Sequence, residues 1–274
     1  MSGRFVLVAT PIGNLGDLSP RAIDALRSAD EVWCEDTRRT RTLLNHADIE
    51  GVRLRSVREH NEAQAAQQLV EAIAAGRTVA YASDAGMPGI ADPGTRLVAA
   101  CVEAGLDVTI VPGPTAAISA LVLSGFPTDR FVFEGFLERK GPERRFAIER
   151  IARSTATSIV YEAPNRLKAT IADFAGACGL DRRVAVVREL TKLHEQVVRG
   201  TLGNLGAVDE RGECVIVIEP AAAQPVADDA AIDAAIRAEL ASGSSARDAA
   251  ANVADALAVA KRRAYERALA IKNH

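Results

Sequence analysis

Three short stretches of this chain gather ionisable side chains at places where a turn would hold them. Glu35-Asp36-Thr37-Arg38-Arg39 sets two carboxylates beside two guanidiniums. Glu162-Ala163-Pro164-Asn165-Arg166 places an acid and a guanidinium four residues apart, across a loop that Pro164 stiffens. Arg188-Glu189-Leu190-Thr191-Lys192-Leu193-His194-Glu195 collects charged groups just after an apolar run. A positioned carboxylate can take a proton from a reacting group. The planar Arg fork suits phosphate. Each stretch also has a plainer reading: a solvated charge cluster, a structural ion pair, a polar hairpin. His194 falls within the third stretch, and His60 lies between the first two. A lone His more often serves structure, so neither is favoured as a catalyst.

The elements that must position these groups are marked by three Gly/Pro-rich turns, each following an apolar run. Phe5-Val6-Leu7-Val8-Ala9 runs into Thr10-Pro11-Ile12-Gly13-Asn14-Leu15. Val79-Ala80-Tyr81-Ala82 runs into Ser83-Asp84-Ala85-Gly86-Met87-Pro88-Gly89-Ile90-Ala91-Asp92-Pro93-Gly94. Val108-Thr109-Ile110-Val111 runs into Pro112-Gly113-Pro114-Thr115-Ala116-Ala117. Short β-branched runs read as buried parallel strands. Gly and Pro then force a turn and admit close backbone approach. Ligands of open α/β sheets sit at the carboxyl ends of the strands. The three loops therefore predict one small-molecule cleft. The chain has no G-x-G-x-x-G and no Walker loop.

Between the strands, helical patterns cover residues 20–29, 61–75 and 94–104, with Ser19 as an N-cap and Gly76 just past a C-terminus. This alternation argues for a mostly parallel sheet. Beyond residue 117 strands outnumber helices. Runs at 131–136, 158–161, 184–187, 195–200 and 213–218 alternate with helices at 142–153 and 166–178. A mixed sheet is expected there. Residues 221–229 read as a linker, and an Ala-rich helical tail with a basic Lys261-Arg262-Arg263 cluster closes the chain.

At 274 residues the chain is long enough for two cores. Its net charge of -3 excludes a generally basic nucleic-acid binder, so any RNA contact needs local clusters. Those at hand are Arg38, Arg39 and Arg41; Arg139, Lys140, Arg144 and Arg145; and the tail cluster. Cys34, Cys101, Cys178 and Cys214 are scattered, with no CxxC pair, so no metal is expected and a reducing, cytoplasmic setting is.

The ordered turns, together with Glu35-Asp36-Thr37-Arg38, resemble the tetrapyrrole methylase class of S-adenosylmethionine-dependent methyltransferases, and most of all its ribosomal RNA branch. The resemblance spans essentially the whole chain. Met87 stands where that branch usually has Thr, and Glu138 where Pro is common. The resemblance implies a two-domain α/β class III methyltransferase fold with the cofactor cleft between domains. The expected boundaries are 1–117 for an N-terminal α/β domain, 118–220 for an α+β domain, 221–229 for a linker and 230–274 for a helix-turn-helix-like module.

It further implies S-adenosyl-L-methionine as cofactor and 2′-O-methylation of cytidine 1402 in the decoding centre of 16S rRNA, within the 30S subunit, by a homodimer. Rival readings are methylation of a precorrin-type tetrapyrrole and a non-catalytic cofactor- or ribosome-binding module. On the family reading the cofactor meets Pro11, Gly13, Asp84, Gly86, Met87, Gly89, Ile90, Pro112, Gly113, Thr115, Ala116 and Ala163. Asp36, Glu162, Lys192 and Glu195 are the candidate bases for a ribose hydroxyl. Arg38, Arg39, Arg166, Arg188, Lys261, Arg262 and Arg263 are the candidate RNA contacts.

Overall fold

The apolar runs become two five-stranded sheets in a computed structural model, which describes residues 3–209, 211–222, 228–257 and 259–272. The first sheet is built from β1 (Arg4–Val8), β2 (Glu31–Cys34), β3 (Arg53–Ser56), β4 (Thr78–Ala82) and β5 (Asp107–Val111). Their order is β3-β2-β4-β1-β5 and every pairing is parallel. Val8 pairs with both Ala82 and Val111. That register brings the three Gly/Pro turns out of the sheet side by side.

Both faces of this sheet are covered, as parallel strands require. On one face α1 (Pro20–Ser28) and α2 (Thr37–His46) bury Leu26 and Leu44 against Val6, Val8 and Ala80. On the other, α3 (Glu62–Ala74) and α4 (Thr95–Glu103) bury Leu69 and Leu97 against Phe5, Leu7 and Trp33. Ser19 caps α1 as expected, its side chain accepting from the Ala22 N–H. Asp36, immediately before Thr37, caps α2. Its backbone is extended, and its carboxylate accepts from the Arg38 N–H at 2.9 Å.

The second sheet comprises β6 (Phe131–Phe136), β7 (Thr157–Glu162), β8 (Arg183–Arg188), β9 (Gln196–Thr201) and β10 (Cys214–Ile218), ordered β6-β7-β10-β8-β9. Only β6 and β7 run parallel; the other pairings are antiparallel. On one face α6 (Pro142–Arg153) and α7 (Leu167–Cys178) pack Ile151 and Phe174 against Val160, Val184 and Ile216. On the other face lies α5 (Ala116–Ser124), whose Ala117, Ala120 and Leu121 meet Ile159, Ala185, Val187 and Val217.

The chain divides into two compact units, Met1–Ala221 and Ala222–His274. Both sheets belong to the first. Within it, Ile12 from the loop after β1 sits in the core of the second sheet. Next to it the Asn14 N–H donates to Thr191 Oγ1 at 3.0 Å. The second unit holds α8 (Asp229–Ala241), α9 (Ala246–Ala256) and α10 (Lys261–Lys272), packed through Ile232, Ile236, Val253, Ala264 and Ala268. Asp228 and Ser245 cap α8 and α9. Of the expected linker, residues 223–227 lie outside the described residues. No helix among the described residues is long and apolar enough to cross a membrane.

Candidate active site

The turns after β1, β4 and β5 and the strand ends of the second sheet enclose a cavity of about 370 Å3. That size lies in the range of small-ligand clefts. The first sheet contributes Ile12, Gly86, Met87, Ile90 and Asp92, and the entrance to α5 contributes Thr115 and Ala116. The second sheet contributes Phe136, Tyr161, Glu162, Ala163, Leu190 and the start of β10 at Glu213 to Val215. Gly86 holds a φ of +79°, which only glycine adopts without strain. It makes a two-way backbone bridge with Thr10, tying two of the turns together.

A smaller cavity of about 220 Å3 adjoins the first through the shared walls Ile12, Ala85 and Glu213. Pro11, Gly13, Asp84, Arg39 and Lys192 line it. The expected cofactor residues therefore separate. Gly86, Met87, Ile90, Thr115, Ala116 and Ala163 reach the large cavity, and Pro11, Gly13 and Asp84 the small one. Gly89, Pro112 and Gly113 line neither; Gly113 instead packs so tightly on Ala9 that a Cβ would come within 2.8 Å of the Ala9 Cβ. Asp84 is committed to structure: its carboxylate accepts from the Asp36 N–H at 2.9 Å and faces Arg39 at 3.8 Å.

The four candidate bases are all engaged. Hydrogen bonds from Arg38 hold the Asp36 carboxyl well below the usual carboxylate range. Glu162 is buried and accepts from the Ala163 N–H at 2.8 Å, from Thr170 Oγ1 at 2.6 Å, and pairs with Arg166 at 3.4 Å. Burial disfavours the Lys192 ammonium, but hydrogen bonds to Glu189 and Glu213 outweigh that and raise its pKa, so it stays a cation. Glu195 accepts from the Thr191 N–H at 2.7 Å and holds the turn there.

The candidate RNA contacts are likewise paired. Arg38 bonds Asp36, and buried Arg188 donates to the Arg211 carbonyl and faces Asp209. In the second unit Lys261 faces Asp255, Arg262 bonds Glu266, and Arg263 bonds Asp229.

Sequence reasoning assigned no role to Asp92 or Tyr161. Burial first, then the neighbouring Glu35, Asp84 and Glu213, push the Asp92 carboxyl up to about 6. The Tyr161 hydroxyl accepts from the Ala117 N–H at 3.1 Å, linking the second sheet to the start of α5. The signal for Asp92 was the Asp92-Pro93-Gly94 turn, whose acid follows two residues behind a cavity-lining Ile90.

Residues 4–206 match the family described as Tetrapyrrole (Corrin/Porphyrin) Methylases. Ribosomal RNA small subunit methyltransferase I of Synechocystis sp. is 42% identical over 98% of this chain and 99% of its own length. The protein of the same name from Mycobacterium bovis is 44% identical over 93% of this chain and 90% of its own. The chain belongs to the ribosomal RNA small subunit methyltransferase I family of tetrapyrrole methylases. Solved structures agree on the fold. The methyltransferase CobJ superposes with a TM-score of 0.62 at 21% identity, covering 82% of this chain and 98% of that one. Cobalt precorrin-4 methyltransferase CbiF gives 0.57 at 18%, covering 79% and 94%. Met87 puts a thioether on the cavity wall.

Proposed function

We propose that this methyltransferase moves a methyl group from S-adenosyl-L-methionine to the ribose 2′-oxygen of cytidine 1402 in 16S rRNA, within the 30S subunit. The observation that carries the proposal is kinship with enzymes named for small-subunit ribosomal RNA along almost the whole chain. The large cavity supports the cofactor. Its lining is mostly apolar, which suits an adenine, and Asp92 supplies a carboxylate for a cation. Bound there, S-adenosyl-L-methionine would supply an electrophilic methyl on a sulfonium. Gly86, Met87, Ile90, Thr115, Ala116 and Ala163 would hold it.

The adjoining small cavity, with Arg39 and Lys192 on its wall, is the proposed entry for the ribose-phosphate. The Arg39 guanidinium, largely exposed and 3.8 Å from Asp84, suits a phosphate. Asp36, Glu162, Lys192 and Glu195 act in this reading as positioning groups, since hydrogen bonds already claim each of them. Holding the hydroxyl in line with the methyl can by itself supply much of the acceleration. A cytoplasmic homodimer completes the proposal. Exposed Ile110 on edge strand β5 and exposed Ile118 and Val122 on α5 support self-association.

The test is transfer of labelled methyl to 30S subunits that lack the modification, with mass spectrometry locating the product. A ribose methyl on the decoding-centre cytidine is expected. No transfer to 30S, with transfer to a tetrapyrrole run alongside, would overturn the substrate.

A further inference from the structure

The stretch Leu137 to Gly141 joins β6 to α6 and begins one residue after Phe136, which lines the large cavity. Two guanidiniums hold its backbone from beneath. Arg144, which is buried, donates to the Glu138 carbonyl at 3.0 Å. Arg166 donates to the Leu137 and Glu138 carbonyls at 3.2 Å. The same two side chains reach the cavity wall. Arg144 donates to Thr170 Oγ1 at 2.9 Å, Thr170 donates to Glu162 at 2.6 Å, and Glu162 pairs with Arg166 at 3.4 Å. The contacts close a ring: Glu162, Thr170, Arg144, the Glu138 carbonyl, Arg166 and back to Glu162. Buried charge is costly unless fully paired, and here each charged member has partners.

The ring separates the members of this basic stretch. Arg144 is consumed inside it, with Asp173 as a further partner. Arg139, Lys140 and Arg145 are exposed and have no ion pair among the described residues. Lys261, Arg262 and Arg263 of the tail, by contrast, are each paired with an acid. A cation that is not neutralised within the protein is the one that displaces counterions from a polyanion. Arg139 lies three residues beyond Phe136, so their Cα atoms are at most about 11 Å apart.

We infer that the Leu137–Gly141 loop is an RNA-binding element, with Arg139 and Lys140 gripping phosphodiesters beside the nucleotide at the cleft. Glu162, Thr170, Arg144 and Arg166 are its positioning residues. The inference rests on the proposed rRNA substrate and deepens it.

The experiment compares the wild-type chain with Arg139→Ala/Lys140→Ala. It measures equilibrium binding to labelled 30S subunits over a salt series, S-adenosyl-L-methionine binding by calorimetry, and methyl transfer. The double variant is expected to bind 30S about tenfold more weakly, with the log–log salt slope flattened by about 1.4, the value for two single-stranded phosphate contacts. Its cofactor affinity stays unchanged. Arg139→Lys/Lys140→Arg restores the slope, because charge rather than shape makes the contact. Unchanged 30S affinity and slope in the double variant would overturn the inference, as would absence of wild-type binding to 30S. If the wild type binds 30S but transfers no methyl, the proposed reaction falls while the binding series still decides the loop.

Discussion

A single carboxyl, Asp92, makes the clearest pH forecast. Its pKa lies near 6 in the folded protein because burial and three neighbouring acids oppose its charge. The unfolded chain releases that proton at an ordinary Asp pKa of about 3.9. Between the two values the folded state holds a proton that the unfolded state has lost, so this group's contribution to stability falls as pH rises through that window. A bound cation would reverse the local preference and favour the carboxylate. Affinity for S-adenosyl-L-methionine should therefore climb about tenfold from roughly pH 5 to 7. Asp92→Asn should flatten that climb, as titration calorimetry at several pH values would show. At this scale the sequence was only partly legible. It pointed to Gly86 through turn chemistry and to Met87 through the family resemblance, and both line the large cavity. It could not tell an idle acid from an engaged one: the Glu162–Arg166 pair was one open reading, but Thr170 reaches Glu162 only once α7 is in place.

Elements were read more readily than side chains. Apolar runs and Gly/Pro turns located eight of the strands; β2 was not among them, and β3 carries Arg53-Leu54-Arg55-Ser56 and no apolar run. It is an edge strand, and Arg55 lies 4.5 Å over the Trp33 ring, so a guanidinium covers the core where an aliphatic would be expected. The join between lobes was also invisible, because Gly13 meets residues nearly 180 positions later. A Cβ on Gly13 would come within 2.4 Å of Lys192 Cγ, 2.9 Å of Thr191 Oγ1 and 3.0 Å of the Leu190 carbonyl. Gly13→Ala should push the first turn off the second sheet and cost about 1–3 kcal/mol. Urea denaturation would measure the loss, and a fall in cofactor affinity should accompany it; unchanged stability would mean that the contact can yield freely.

For the molecule as a whole, the unit Ala222–His274 forms a core mostly of alanine with a few isoleucines and valines. So small a unit buries little apolar surface per residue. Calorimetric scans should show it melting below the larger unit. A chain ending at Ala221 should lose only that first transition and bind cofactor as the full chain does. Loss of cofactor binding on truncation would assign the tail a part in the cleft.

The Asn14–Thr191 bond spans 177 positions, and Ile12 joins a core otherwise supplied by residues 116 to 217. During synthesis the first turn leaves the ribosome long before its partners exist. At about 5–20 residues per second, it waits roughly 9–35 s for Thr191 to be made. Until then an apolar side chain meant for the second lobe stands in water, and the nascent first lobe needs either a temporary partner or a fast enough ribosome to keep Ile12 from misplaced contacts.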